Sequence, residues 1–565
     1  MSRTSRSART AALAAATAAA APATAWAAAP AAAPAAAPAI TSASSSAASA
    51  ASVITSSASS AASVITSSAS SSATPVITSS SAAFSSAASA ADGPYRGLPS
   101  GTRQAKTLVI GVDGTRCDKL LTADAPSLKA LMAGGMTATG DLCANPLAPT
   151  LSGPGRSTVA TGVWPDRHRV KDNNFTGSRL DLYPGFATRL ENADPAGSTL
   201  VIGSWDPIAG NVFNGRADVR LQEGENDTRT AADAVDYLAH GNPDATFLHF
   251  DQVDEAGHDR GGAGPDHLAA LHCADALVGQ VLQAVKSRPT YASEDWLVIV
   301  TTDHGHTDAG GHGGSSANER QTFLIAGGVG CAPGSRRHDV KPVDIAPTVL
   351  KHEGAAVDPA WELDGRPVGE IAPDAFDALR PLLRSRADGS GIPAAVKGRT
   401  HTPPAGWSVD NSRMPGGGVT EWRGWTFATD EFWSDAEPGQ SRETDVRARD
   451  VFAVADSDEW DDKAHGAGRF DSTPVSPACP VTGASRGVLS FATDCKIDGP
   501  QTGDLCVVFD NGAPRPVKSC RSDLNTVENL PVTVPAGAAT VRFQFRCTGT
   551  DGAFWTVDQV VFTVS

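Results

Sequence analysis

Apolar positions along this chain follow two rhythms, divided by a stretch containing Gly and Pro at 389–404. Upstream, from Lys106 to about Asp377, short apolar runs have the length and β-branched content of strands buried on both faces. They include Thr107-Leu-Val-Ile-Gly-Val-Asp113, Thr246-Phe-Leu-His-Phe-Asp251 and Leu297-Val-Ile-Val-Thr-Thr-Asp303-His304. Between them lie helical patterns over Ala125–Ala133, Thr228–Leu238 and Asp266–Val285. In the last, Leu268, Leu271, Ala274, Leu277, Val281 and Val285 recur at helical spacing and form one face to pack on a sheet. The first rhythm predicts an α/β fold with a sheet between helices. From Trp407 onward alternation takes over: Val541-Arg-Phe-Gln-Phe-Arg-Cys547 places apolar and polar residues on opposite faces of a half-buried antiparallel strand. Gly503-Asp-Leu-Cys-Val-Val-Phe509 runs into Asp510-Asn511-Gly512, a strong turn signal. This rhythm predicts a jelly-roll-like, all-β sandwich.

N-terminal to the first strand the pattern vanishes. Residues up to 98 are mostly Ala, Ser, Thr and Pro, with Val-Ile-Thr recurring at Val53, Val64 and Val76. So little apolar bulk does not offset chain entropy, and the repeat lacks Gly, Asn or Asp turn chemistry, so a flexible tether is favoured over a β-solenoid. Arg3, Arg6 and Arg9 precede an Ala-rich run from Thr10 to Trp26 and Ala-x-Ala sites near Ala27, the basic, apolar, small-residue order of a secretory signal. The expected organisation is a signal peptide at 1–30, a disordered linker at 31–98, a catalytic α/β domain at 99–388, a linker at 389–404 and a β-sandwich accessory domain at 405–565. No stretch reaches ~18 uninterrupted apolar residues and no lipid-anchor signal is visible, so a secreted, extracellular protein without a membrane span is expected.

Nine cysteines suit an oxidising compartment and predict disulfides, the odd total leaving a free thiol or an intermolecular bridge. No CxxC metal pattern occurs. A formal charge of -16 without a Lys/Arg stripe argues against a nucleic-acid partner.

The candidate chemistry lies where the strand-like runs end. In an open α/β sheet, ligands gather beyond the carboxyl ends of the strands, so Asp113, Asp303 and His304, together with Asp254 and His258 after the Asp251 run, can converge on one crevice. A further histidine, His306 or His312, comes from the Gly-rich segment after Asp303. These oxygens and imidazoles suffice for two borderline divalent ions without thiolates. In Pro149-Thr-Leu-Ser152-Gly-Pro-Gly-Arg156, Pro and Gly stop the preceding segment, and a helix over Arg156–Val163 starting right after Ser152 is predicted. A hydroxyl there faces the positive end of a helix dipole, and a metal would activate it as a nucleophile for an in-line displacement. Taken singly, a strand-end Asp is usually a cap, His258 or His304 a core or surface ring, and Ser152 a helix cap. Asp251 is read as structural. The bland account must hold at every motif at once.

These motifs in order resemble the alkaline phosphatase superfamily over residues 106–377, and most closely its nucleotide pyrophosphatase/phosphodiesterase branch. Val112-Asp113-Gly114, Ser152-Gly-Pro154 with Thr161-Gly-Val-Trp-Pro-Asp-Arg-His168, Asp254-x-x-Gly257-His258 and Thr302-Asp303-His304-Gly305 carry the likeness. The resemblance implies an alkaline-phosphatase-like sheet and two metal ions, zinc being expected. One ion would be held by Asp254, His258 and His312, the other by Asp113, Ser152, Asp303 and His304. It further implies Ser152 as nucleophile through a phosphoseryl intermediate and Asn173 as a phosphoryl-oxygen ligand. The branch usually carries Thr at the nucleophile, and Thr150 and Ser157 are nearby competitors. His312 is preferred over His306 because its glycine-rich context allows close approach to a metal. Arg156 is assigned to the catalytic set, either clamping phosphate or bracing the nucleophile helix.

The implied function is hydrolysis of a small phosphodiester or pyrophosphate, with phosphomonoesterase, sulfatase and non-catalytic binding protein as alternatives. Ser152-Gly-Pro-Gly-Arg156 also resembles the sulfatase signature. However, Gly114 stands where sulfatases pair a second Asp, and Gly203-Ser-Trp205-Asp-Pro lacks their Lys and His. Trp205 could wall a leaving group or belong to the core. Asp456-Ser-Asp-Glu-Trp-Asp-Asp462 reads as an acidic surface loop ahead of a Ca²⁺ site, and the C-terminal tryptophans as sandwich core ahead of a sugar platform, so carbohydrate or cell-wall contact is a secondary expectation.

Overall fold

The computed structural model describes residues 97–388, 392 and 397–564; the signal and most of the Ala/Ser/Thr-rich segment lie outside them. The first rhythm folds into an eight-stranded sheet made of β1 (Ala105–Val112), β2 (Met136–Asp141), β3 (Thr199–Gly203), β4 (Val219–Gln222), β5 (Ala245–Phe250), β6 (Asp295–Thr301), β7 (Gln321–Gly327) and β8 (Ser335–Arg337). Their spatial order is β4-β3-β5-β1-β6-β7-β2-β8, with β7 alone running antiparallel to its neighbours. Alternate residues of β1 feed opposite faces: Val109 packs into one apolar layer, while Leu108, Ile110 and Val112 pack into the other. That two-sided burial is why the strands read as continuous apolar runs.

The three predicted helices form at Pro126–Gly134, Asp227–His240 and Pro265–Lys286. The last is long and apolar enough by composition to cross a membrane, but it buries Leu271, Ala274, Val278, Val281 and Val285 in the sheet layer. Its buried Asp275 accepts hydrogen bonds from the backbone N–H groups of Ser127 and Leu128, holding the start of the Pro126–Gly134 helix.

The second rhythm folds into two antiparallel sheets. One runs Ser408–Asp410, Phe470–Val475, Thr540–Gly549, Thr502–Phe509 and Arg515–Cys520 in spatial order, with Cys479–Pro480 also paired to Thr540–Gly549. The other runs Leu524–Thr533, Arg486–Cys495, Phe554–Val564, Val451–Asp456, Thr426–Thr429 and Arg399–Thr400. Val541, Phe543, Phe545 and Cys547 point into the shared core, and Asp510 and Asn511 take the left-handed backbone that their turn requires. Trp422, Trp425, Trp433, Trp460 and Trp555 are buried in this core, so none of these rings offers a sugar-stacking surface. The acidic run read as a surface loop instead ends a strand and forms the Ser457–Asp461 helix, which Asp456 caps by accepting from Glu459 N. Its Glu459 is buried because Arg386 and Arg442 neutralise it.

Ion pairs join the two halves around the functional face. Arg449 grips Asp344 with two hydrogen bonds (2.7 and 2.8 Å), Arg320 meets Asp430 at 2.7 Å, and Arg447 reaches both Asp364 and Asp166. Beside Arg320, the Asp141 and Asp430 carboxyls share a hydrogen bond, and withdrawal from water plus the Asp430 charge push Asp141 up to about 6. The folded chain therefore holds that proton across a window, from about 4 to 6, in which the unfolded chain has lost it. Stability from this pair falls as pH rises through that window. Asp141→Asn, a permanent donor to Asp430, is expected to match the parent at pH 4. At pH 7 it is expected to be more stable by about 1–3 kcal/mol, read by chemical denaturation at both pH values.

Candidate active site

Because β1 lies between β5 and β6 and runs parallel to both, the residues beyond their carboxyl ends open into one crevice. Asp113 leaves β1, and Asp303 and His304 leave β6. The Gln252–Arg260 helix after β5 carries Asp254 and His258 one turn apart on the same face. The helix carrying Ser152 spans Ser152–Thr161, beginning at Ser152 itself rather than after it. Pro154 is accommodated in its first turn, where backbone N–H groups have no helical partner.

The predicted residues converge. His304 Nε2 stands 3.3 Å from Ser152 Oγ, 3.3 Å from Asp113 Oδ1, 3.8 Å from Asp303 Oδ2 and 3.9 Å from Asp254 Oδ1. Its Nδ1–H donates to the Gly305 carbonyl (3.0 Å), so Nε2 of the neutral ring presents its lone pair to this ring of oxygens. His312 is oriented likewise by donation from Nδ1 to Thr150 O (2.8 Å). Its Nε2 lies 3.0 Å from His258 Nε2 and 3.6 Å from Asp254 Oδ1. Asp113, Asp303 and His304 offer ligand atoms within 4.8 Å of one another, as do Asp254, His304 and His312. The two sets therefore adjoin, with His304 on their shared edge, and His258 flanks the second. Asn173 is exposed beside Ser152, its Oδ1 accepting from Gly153 N (2.8 Å), which leaves its amide N–H groups free to donate.

Buried orphan oxygens test whether cations fit. Asp113 Oδ1 and both Asp303 oxygens are buried without a well-formed hydrogen bond, and Arg156 Nη2 is 2.9 Å from Asp303 Oδ1. Carboxylates left in that state beside bare imidazole nitrogens are a donor set for borderline divalent ions. The proton balance agrees. Burial opposes a charge on His304, yet Asp303, Asp113 and Asp254 drive it up to about 10. Burial and neighbouring Asp113 raise Asp303 to about 7 despite Arg156, while Asp113 is held well below the usual carboxylate range because Arg156 and two histidines outweigh its burial. The crevice calls for positive charge.

Arg156 is fully buried behind Asp113 and Asp303, in space that a Cβ on Gly111 would occupy. Of its two expected roles, bracing fits this position; a phosphate clamp would need the guanidinium on the open side. His306 is also buried, donating from Nε2 to Asp254 Oδ1 (2.7 Å), so it approaches Asp254 from behind while His312 approaches from the crevice. Gly114 and Gly257, both motif glycines, leave room for the His306 ring: a Cβ at either would lie within 2.6 Å of its Nε2. His249 escaped the sequence reading, and Asp251, read there as structural, lies in the same cluster. His249 Nε2 bonds Asp113 Oδ2 at 2.7 Å, and Asp251 lies with them, pushed up to about 9 by burial and its acidic neighbours. A lone imidazole inside the otherwise apolar β5 run was the available signal. Trp205 is partly buried between Phe175 and His249, at ring separations of 6.2 and 6.4 Å.

The sequence profile of the family described as type I phosphodiesterase / nucleotide pyrophosphatase matches residues 107–213 and 205–447, more than half of the chain. A GPI ethanolamine phosphate transferase 2 from Eremothecium gossypii is 33% identical over 102 residues, covering 18% of this chain and 12% of that protein. A venom phosphodiesterase from Macrovipera lebetinus is 24% identical over 234 residues, covering 37% and 26%. The chain thus spans between about an eighth and a quarter of these relatives' lengths. Among solved structures, murine ectonucleotide pyrophosphatase/phosphodiesterase 5 aligns at 15% identity with a TM-score of 0.37, over 45% of this chain and 96% of that one. The phosphonate monoester hydrolase of Silicibacter pomeroyi aligns at 19% and 0.35, over 48% and 78%. Both likenesses are too remote to bear on chemistry.

The placements of His312 and His306 lead to different expectations. His312→Ala, which removes a nitrogen of the Asp254–His304–His312 cluster, is expected to weaken the binding of added divalent ion, Zn²⁺ being the probe, more than 100-fold. His306→Ala, which removes only the support behind Asp254, is expected to weaken it about 10–100-fold. Zinc retention against a graded chelator series measures both, and the reverse order would exchange their roles.

Proposed function

Since the chain belongs to the type I phosphodiesterase / nucleotide pyrophosphatase family, we propose that it is an exported, metal-dependent hydrolase of phosphodiesters or pyrophosphates using Ser152 as nucleophile. The observation that carries this reading is Ser152 Oγ, at a helix N-terminus, 3.3 Å from His304 Nε2 among orphaned carboxylate oxygens. Asp113, Asp303 and His304 would hold one divalent ion, zinc in our reading, beside Ser152, and Asp254, His258 and His312 the second. When bound, these ions supply Lewis acidity that lowers the hydroxyl pKa and offsets phosphoryl charge.

The chain's own residues do the rest. Ser152 Oγ attacks phosphorus, and the P–O bond to the alcohol or phosphate leaving group breaks in line, the serine proton passing to that departing oxygen. The rest of the substrate stays on Ser152 as a substituted phosphoseryl ester that water then cleaves to a monoester. Asn173 directs its amide N–H groups at a non-bridging oxygen, and the unpaired N–H groups of the helix's first turn favour the same developing charge. Arg156 and His249 fix Asp113 from beneath, so the carboxylate does not reorient as charge moves. With Arg156 buried, that residue gives the open face no bidentate clamp for a monoester dianion, which supports diester over monoester. The second reading is transfer of the phosphoryl group to a hydroxyl acceptor, favoured by the relatives named ethanolamine phosphate transferases. Export rests on the Arg3–Ala27 pattern.

Purified protein should hydrolyse bis(4-nitrophenyl) phosphate faster than 4-nitrophenyl phosphate or sulfate and lose turnover to chelator, recovering it with Zn²⁺. Ser152→Ala should lower kcat at least 1,000-fold, and acid quench of the parent should trap one phosphoryl group on the Ser152 peptide. Full metal-dependent turnover by Ser152→Ala would reject the nucleophile. Product partitioning in added ethanolamine separates hydrolysis from transfer.

A further inference from the structure

Away from the crevice, the β-sandwich brings two cysteines together at one corner. Cys495 ends the Arg486–Cys495 strand and stands opposite Leu524 and Trp555 in its own sheet. Cys520 ends the Arg515–Cys520 strand of the other sheet, and the chain turns from it to Leu524 in four residues. That turn is fixed over the corner: Asp523 accepts from Ile497 N (3.0 Å) and Lys496 Nζ (3.4 Å). Both cysteines are buried in the same apolar core, on facing sheets, and lie near enough for each to perturb the other's ionisation. Cys547 is buried in the same core and also acts on Cys495, but its pairing with Cys520 is excluded by register. Gly503 pairs with Cys520 on one side and Cys547 on the other, which separates those two backbones by two strand spacings, roughly 10 Å, beyond the ~7 Å limit for a bridge. Cys506 is on the outer face of the same strand, between the inward-facing Leu505 and Val507.

We propose that Cys495 and Cys520 are a modification site, oxidised to an inter-sheet disulfide by thiol–disulfide exchange with a small-molecule or protein disulfide. The exchange balances without another reactant. The Cys520 thiolate attacks the reagent disulfide and expels one thiolate, Cys495 then attacks the mixed disulfide and expels the second, and the two cysteine protons leave on the two released thiols. Cys520 suits the attacking role: neighbouring Cys495, against some burial and with Lys518 nearby, holds it below the ordinary thiol value. Cys520, the attacking residue, is 7% exposed, while the fully buried Cys495 backs a crevice of about 270 Å³ with Leu147, Asp166, Lys496, Leu524 and Asn525. The bond would tie together the strands whose next residues carry the junction. Asp494 accepts from Asn525 (3.0 Å), Asn525 accepts from Arg447 (2.8 Å), and Arg447 holds Asp166 just past the nucleophile helix.

The test is independent of the phosphoester reading. Full chain, reduced and then incubated with oxidised glutathione, is alkylated under denaturing conditions and mapped as peptides. The expected result is a linked peptide pair containing Cys495 and Cys520, abolished by dithiothreitol and by Cys520→Ser, kept in Cys506→Ser, with a melting temperature about 5 °C above the reduced protein. Alkylation of both cysteines after oxidation, or linkage of either one to Cys547, overturns it. The parent protein's map alone decides the linkage if a variant fails to fold.

Discussion

Packing several carboxylates into one nearly dry crevice is the constraint from which the rest of this architecture follows. Unit charges a few ångströms apart repel strongly when water is excluded, so such a cluster persists only if counter-charge is built in. The chain answers from below with Arg156, whose guanidinium is buried against Asp113 and Asp303, and with His249 and His306, each held to one carboxylate. Among the described residues no Lys or Arg is paired with these carboxylates from the open side, and the carboxylates push His304 up to about 10. A cation bound there would compete with the His304 proton, which is how the fold's charge pattern would connect to the proposed chemistry.

Holding this cluster requires space as much as charge. Gly111 makes room for Arg156, Gly114 and Gly257 for His306, and Gly155 for the backbone of Asp303. The glycines in these motifs therefore keep buried side chains in place rather than loosen the chain. The sandwich contributes from a distance: its Arg447 and Arg449 pair with acids of the α/β part, its Asp430 pairs with Arg320 of that part, and Val446 joins the apolar cluster containing Trp164 after the Ser152–Thr161 helix.

The sequence disclosed residues whose chemistry contrasts with their surroundings. Asp113, Asp303 and His304 interrupt apolar runs at their ends, and Asp254 and His258 share one helical face, so their convergence could be read from strand order alone. Depth could not be read. Whether Arg156 faces substrate or the buried side of the carboxylates depends on the rotation of its helix, which begins at Ser152 rather than after it, and whether His306 or His312 looks into the crevice depends on a glycine-rich loop without periodicity. His249 was hidden because one imidazole in a buried strand can equally be a satisfied core residue. In the sandwich, alternation revealed the strands, but register, and with it the opposition of Cys495 and Leu524, came only from three dimensions.

His304 belongs to both ligand sets, stacked on His312 at 3.8 Å while facing Asp113. One lone pair on Nε2 serves one ion at a time, so under the proposed two-ion reading the ion that takes His304 would leave the other to Asp254, His258 and His312 alone. Two donor sets of similar chemistry would then differ in affinity because they share this one ring.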